Sequence, residues 1–176
     1  ITRIPCLQHI KRKFIDSGEN DPDVKRSVEL INKLYQNEHK HKVGVDGWTA
    51  EQHLAHRKKY ALDTLGEIKD VLDEIEERGD LLPKSELREA ITYLRNEWNA
   101  VVDIFNYGDT FLDNNIVERM NRYIFLSRKN SLFFGSHKGA ERGAILYTIA
   151  LTCRMHKVNL FKYLTDAVSY THLRAH

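Results

Sequence analysis

Asp113-Asn114-Asn115-Ile116-Val117-Glu118-Arg119, followed by Arg128-Lys129-Asn130-Ser131-Leu132-Phe133-Phe134-Gly135-Ser136, is the stretch from which the rest of the chain is read. Asp and Asn side chains accept hydrogen bonds from the free backbone N–H groups that open a helix. Asp113 is therefore expected to be the N-cap of a helix running to about Leu126, with Ile116, Met120 and Tyr123 facing inward. Glu118 falls one turn inside that helix, with Arg119 beside it. Residues 127–139 read as a basic loop anchored by Leu132, Phe133 and Phe134. A carboxylate in such a place is suited to a hard divalent cation, and its Arg neighbours to phosphates.

The remainder of the sequence is a series of helices. Leu7 to Ile15 reads as a short basic helix, with Lys11, Arg12 and Lys13 outward. Asp23 is expected to cap a second helix whose apolar stripe is Val24, Ser27, Val28, Ile31, Leu34 and Tyr35. Thr49 and Gln52 fit a capping box. The helix after it carries Leu54, Ala61, Leu65, Ile68, Leu72 and Ile75 and ends at Gly79. Pro83 marks the start of another, with Leu87, Ile91, Leu94, Trp98, Val101 and Phe105 on one side. These last two are expected to fold back on each other as an antiparallel hairpin. Ala140 to His156 and Leu160 to Ala167 close the chain, the latter capped by Asn159. The fold class expected is mostly α.

The composition bounds the function. The chain has 176 residues, 41% hydrophobic and 30% charged, enough for one domain with a sizeable core. No apolar run approaches the roughly 20 residues of a membrane span. Two Cys without disulfide-like spacing fit a reducing cytosol, so a cytoplasmic protein is expected. The net charge of +2 hides a division. Residues 61–91 are strongly acidic, whereas residues 116–142 carry Arg119, Arg122, Arg128, Lys129, Lys138 and Arg142 against Glu118 and Glu141. That local basic cluster, rather than the global charge, points to a polyanion. Arg119, Arg122, Arg128, Lys129, Lys138 and Arg142, with Asn130, are the candidate phosphate-backbone contacts. Cys6/His9 and Cys153/His156 could in principle make a zinc site, but neither pair sits in a loop knuckle, and the expectation is against zinc.

The same residues carry a family resemblance. Asp113-Asn114-Asn115-x-x-Glu118-Arg119, then Arg128-Lys129-Asn130, then Gly135-Ser136, resembles the C-terminal part of transposases of the sixty-six family of bacterial insertion sequences. Cys6-Leu7-Gln8-His9-Ile10-Lys11-Arg12-Lys13-Phe14, Pro83-Lys84-Ser85 and residues 147–163 are similar in the same order. Ser131 stands where the family often has Trp, and Leu7-Gln8 where it often has Trp-Ala. The resemblance implies a ribonuclease H-like core with two Asp and one Glu, and an all-helical insertion between the second Asp and the Glu. Glu118 maps onto the catalytic, metal-binding Glu, with Asp113, Asn114 and Asn115 as structural parts of its motif, and by the resemblance the candidate phosphate-backbone contacts are contacts with DNA.

The expected division of the chain has three parts and a tail. Residues 1–22 are a remnant core strand with its basic helix, 23–108 the helical insertion, and 109–168 the Glu-bearing helix, basic loop and closing helices. Residues 169–176 read as a non-native, adapter-derived tail. The implied chemistry is phosphoryl transfer on insertion-sequence ends and target DNA, with Mg²⁺ or Mn²⁺ held by three carboxylates. Both Asp are expected upstream of Ile1, so this fragment alone is expected to be inactive and to hold no metal tightly. Self-association is a further expectation by resemblance. The rival reading is a non-catalytic helical module that docks a protein or DNA, with Glu118 structural.

Overall fold

The computed structural model describes residues 5–40, 47–129 and 133–173. Among them lie seven helices and no strand. The strand expected at residues 1–6 falls largely outside the described residues, and Pro5 and Cys6 have no regular structure. The chain forms two separately packed units, residues 1–114 and 115–176.

The first unit contains α1 (Leu7–Asp16), α2 (Pro22–Lys40), α3 (Ala50–Glu77) and α4 (Glu86–Ile104). On α1, Leu7, Ile10 and Phe14 are buried at helical spacing, leaving Arg12 and Lys13 in solvent. Pro22 opens α2, where its missing N–H costs nothing. The cap is Asp21 rather than Asp23: its carboxylate accepts the Asp23 N–H at 2.8 Å. The Asp23 carboxylate instead pairs with Arg78 at the far end of α3. Val24, Ser27, Ile31 and Leu34 form the buried stripe of α2. On α3 the Thr49/Gln52 capping box forms as its sequence dictates. α4 starts at Glu86 rather than at Pro83, and Ser85 caps it by accepting the Arg88 N–H.

α3 does not pair with α4 alone, the arrangement expected, but lies between two antiparallel partners: Arg57 and Ile104, and Arg95 with Asp73 and Glu76, link it to α4, and α2 packs on it still more closely. Arg26 bonds Glu74, Lys33 bonds Glu67 and Glu38 bonds Arg57, so rising numbers on α2 meet falling numbers on α3. The two helices therefore run antiparallel along their lengths. α4 packs most closely against α1, and α1 also against α2. Arg95 ties α4 to Asp73 and Glu76 of α3. The physical reason is the width of the α3 stripe. Ala61, Thr64, Leu65, Ile68, Val71, Leu72 and Ile75 are all buried, a band too broad for one neighbour to cover. α1 also packs as part of this unit.

The second unit contains α5 (Asn115–Arg128), α6 (His137–Met155) and α7 (Leu160–Leu173), with α6 packed on both others. Ser136 caps α6 and Asn159 caps α7. α6 starts three residues earlier than the sequence suggests, and α7 continues helical through Leu173 rather than ending at Ala167. Among the described residues of this unit only Cys153 is a buried hydrophobic. Ile116 and Tyr123, expected inward, are 42% and 38% exposed. Phe133 is not an anchor, being 84% exposed; Phe134 alone lies against Gly143 and edge-on to Tyr147. Leu132 lies outside the described residues.

Candidate metal and nucleic-acid site

The segment that leads into the Asp-Asn-Asn motif is stitched down along its whole length. At its centre is Arg57, 1% exposed in the N-terminal third of α3. Its guanidinium donates to both carboxylate oxygens of Glu38 at 2.8 and 2.7 Å. It also donates to the carbonyls of Ile104 and Thr110 at 3.2 and 2.6 Å, to the Thr110 hydroxyl at 2.8 Å and to the Tyr107 carbonyl. These carbonyls lie at and just beyond the end of α4, and an Arg fork can satisfy them together. His53, one turn earlier, lies 2.6 Å from the Gly108 carbonyl through Nδ1 and 3.3 Å from Glu38 through Nε2. A carbonyl only accepts, so Nδ1 carries the hydrogen. A Cβ on Gly108 would stand 1.8 Å from the Ala50 carbonyl oxygen, so only glycine lets the segment pass this close to α3.

The unit closes at its two ends. The Leu7 N–H, first of α1, donates to the Leu112 carbonyl at 2.9 Å. Cys6 supplies no side-chain cap, so this bond takes one of the free N–H groups of α1. The chain thus enters and leaves the four-helix unit at one point. α5 begins at Asn115, two residues beyond Asp113 and one later than a cap at Asp113 requires. The Asp113 carboxylate lies against the Tyr35 phenol of α2. Burial first, then the charge of Asp113 and the nearby Cys6, hold that phenol's proton well above the usual tyrosine range. The folded chain therefore keeps the proton to higher pH than the unfolded chain does. The stability associated with Tyr35 is intact below about pH 10 and falls as pH rises beyond it. Tyr35→Phe is expected to flatten the fall in melting temperature between about pH 9 and 11; an unchanged alkaline limb would remove Tyr35 as its source.

Glu118 lies in the first turn of α5, where the helix dipole favours a carboxylate, and is exposed. Asn115, Glu118, Arg119 and Arg122 recur at i, i+3, i+4 and i+7, so they share one helix face. Asn115, Glu118 and Arg119 are exposed, as are Lys129, Lys138 and Arg142 to a full or partial degree. Lys138 and Arg142 lie in the first two turns of α6. Arg128 is the last residue of α5, and Asn130 lies outside the described residues altogether. Arg154, which sequence reasoning passed over, stacks on Tyr123 at 3.8 Å from the ring centre and ties α6 to α5. The Arg57 network was also missed. Its sequence signal was a charged residue placed between Leu54 and Ala61 on an apolar stripe.

Among the described residues no group of three or more His, Cys, Asp or Glu side chains is placed to hold a metal ion. Glu118 can supply one hard oxygen ligand, and the residues present do not by themselves make a Mg²⁺ site. The two Cys-x-x-His pairs likewise form no such group among the described residues.

Comparison with known proteins places the chain. The model of the transposase IS66 family matches residues 1–142. An uncharacterized protein, y4hP, of Sinorhizobium fredii strain NGR234 is 30% identical over 183 aligned positions, which cover 96% of this chain and 32% of the relative. Two further uncharacterized proteins of that strain, y4jD and y4qI, are 27% and 29% identical over 93% of this chain. The chain spans about a third of the length of these relatives. No solved structure matches it. The match takes in the four-helix unit, the Asp-Asn-Asn-x-x-Glu-Arg motif and the basic residues up to Arg142, and the chain belongs to the transposase IS66 family.

Proposed function

We propose that this chain is the Glu-bearing portion of a DNA transposase that cuts and joins DNA by phosphoryl transfer. The observation that carries the reading is the face of α5, where Glu118 stands exposed in the first turn with Asn115, Arg119 and Arg122 beside it. Glu118 would be one of three carboxylates that hold Mg²⁺ or Mn²⁺ in the intact protein, the other two being Asp residues in a ribonuclease H-like core. Arg119, Arg122, Arg128, Lys129, Asn130, Lys138 and Arg142 would hold the DNA backbone, of insertion-sequence ends and of the target.

Two features of the fold support this reading. Residues 7–112 form a body whose two ends meet through the Leu7–Leu112 hydrogen bond, the arrangement expected of a helical unit inserted into another fold at one place. The second unit, in contrast, keeps almost none of its apolar surface to itself. Ile145 and Leu146 on α6 are 61% and 58% exposed and Phe161 on α7 is 82% exposed. Helices apolar on several sides belong in the interior of a larger body. A bacterial cytoplasmic location fits a DNA-processing enzyme, and among the described residues no helix is long and apolar enough to cross a membrane.

Two results test the reading. The purified chain, offering one carboxylate, is expected to cleave no DNA in Mg²⁺, whereas the intact protein cleaves and joins insertion-end oligonucleotides; activity of the chain alone that disappears in Glu118→Gln would contradict this division. Changing Arg128 and Lys129 together to Ala is expected to reduce the slope of log affinity against log salt by about 1.8, two phosphate contacts on duplex DNA. An unchanged slope would take both out of the interface.

A further inference from the structure

The charges of α3 are divided along its length. Its C-terminal half carries Glu67, Asp70, Asp73, Glu74, Glu76 and Glu77, with Lys69 the one base. The N-terminal half differs. Glu51 and Asp63, at its two ends, are its acids, and Arg57 is consumed in the buried network, which leaves Lys58 and Lys59 as exposed cations on adjacent positions. Beside them runs a ladder of rings. Trp48 meets His56 edge-on at 5.5 Å, and His56 meets Tyr60 at 4.6 Å. The Lys59 ammonium stands 5.0 Å over the Tyr60 ring, and Tyr60 is 42% exposed. An exposed ring packed on His56, which Trp48 meets in turn, with one ammonium over it and a second exposed lysine next in sequence, combines the two groups that take an unpaired nucleic-acid strand. Bases stack on the ring and phosphates meet the cations.

This surface belongs to the four-helix unit and contains none of the candidate DNA contacts of α5 and α6. It lies on the turns of α3 from which His53 and Arg57 grip residues 104–110, where the chain is about to leave the unit for the Glu-bearing helix. The acidic half of the same helix would repel a phosphate backbone, which confines a strand to this end. We propose that Trp48, His56, Lys58, Lys59 and Tyr60 form a second DNA-binding site, specific for a single-stranded segment. The proposal rests on the DNA-processing reading for the identity of its ligand.

Trp48 reports on the site directly, because Trp48 and Trp98 are the chain's only tryptophans. The chain carrying Trp98→Phe is titrated with a thymidine oligonucleotide of roughly a dozen residues. Trp48 emission is expected to change saturably, in step with binding measured by anisotropy. In Lys58→Ala/Lys59→Ala the salt slope is expected to fall by about 1.4, two phosphate contacts on a single strand. In Tyr60→Ala the affinity is expected to fall at least about fivefold. All three positions are exposed, and unchanged circular dichroism separates these effects from misfolding. Three results each overturn the proposal: no binding of the oligonucleotide, binding with Trp48 emission unmoved, or binding that only Arg119→Ala/Arg122→Ala weakens. The last two leave the transposase reading standing, since that reading turns on Glu118 in the intact protein.

Discussion

Exchanging Glu118 for Gln in the intact protein is expected to abolish strand cleavage and joining, a loss on the order of a hundredfold or more. The amide keeps the size and most of the hydrogen-bonding capacity of the carboxylate but loses the charge a hard cation requires. Glu118 is exposed on the first turn of α5, so its packing contribution is small and the helix should survive the change. Binding of DNA should be retained, because Arg119, Arg122 and the loop cations are untouched. A variant that binds DNA and does not cut it separates a chemical role from a structural one. Loss of binding and folding together would favour the rival reading, in which Glu118 is part of the scaffold.

The second large effect is expected at Arg57. Arg57→Met leaves Glu38 without its bidentate partner and the carbonyls of Ile104, Tyr107 and Thr110 without their donor. Breaking a buried ion pair from one side costs about 3–5 kcal/mol. The loss should appear in urea unfolding monitored by circular dichroism, as a lower midpoint with little change of slope. The partner test is Arg57→Met with Glu38→Met. Removing both charges should restore much of the stability, since the destabilising element of the single variant is the carboxylate left behind. A cost below about 1 kcal/mol for Arg57→Met would place the pair with ordinary surface ion pairs and refute its role as the keystone of residues 104–110.

How far the sequence reveals this fold depends on which interactions decide each feature. The helices are legible because their periodicity is local: the stripes of α2 and α3, the Thr49/Gln52 box, Gly79 with φ near 72° and the Asn159 cap can each be read within a few residues. Partnership between helices is not local. The α3 stripe announces burial without saying against how many helices: the short α3–α4 connection points to α4, which Arg95–Asp73 and Arg57–Ile104 do link to α3, but only Arg26–Glu74 and Lys33–Glu67 reveal α2 as a second partner. Asp113 reads as a cap from its neighbours, but its carboxylate is claimed by Tyr35, 78 residues earlier in the sequence. Arg57 in an apolar stripe was a visible anomaly whose partners could not be foreseen. At the candidate site, Glu118 and the basic cluster were legible because the motif is contiguous, and the structure adds that Asn115, Glu118, Arg119 and Arg122 share one face of α5.

Metal specificity tests the role of Glu118 most directly. In the intact protein, Glu118→Cys replaces a hard carboxylate by a soft thiolate, which binds Mg²⁺ poorly and thiophilic ions such as Mn²⁺ better. The account predicts that strand cleavage by this variant is lost in Mg²⁺ and partly restored in Mn²⁺, while Glu118→Gln stays inactive in both. Equal activity of Glu118→Cys in the two metals, or cleavage by Glu118→Gln at the level of the unaltered protein, would contradict it.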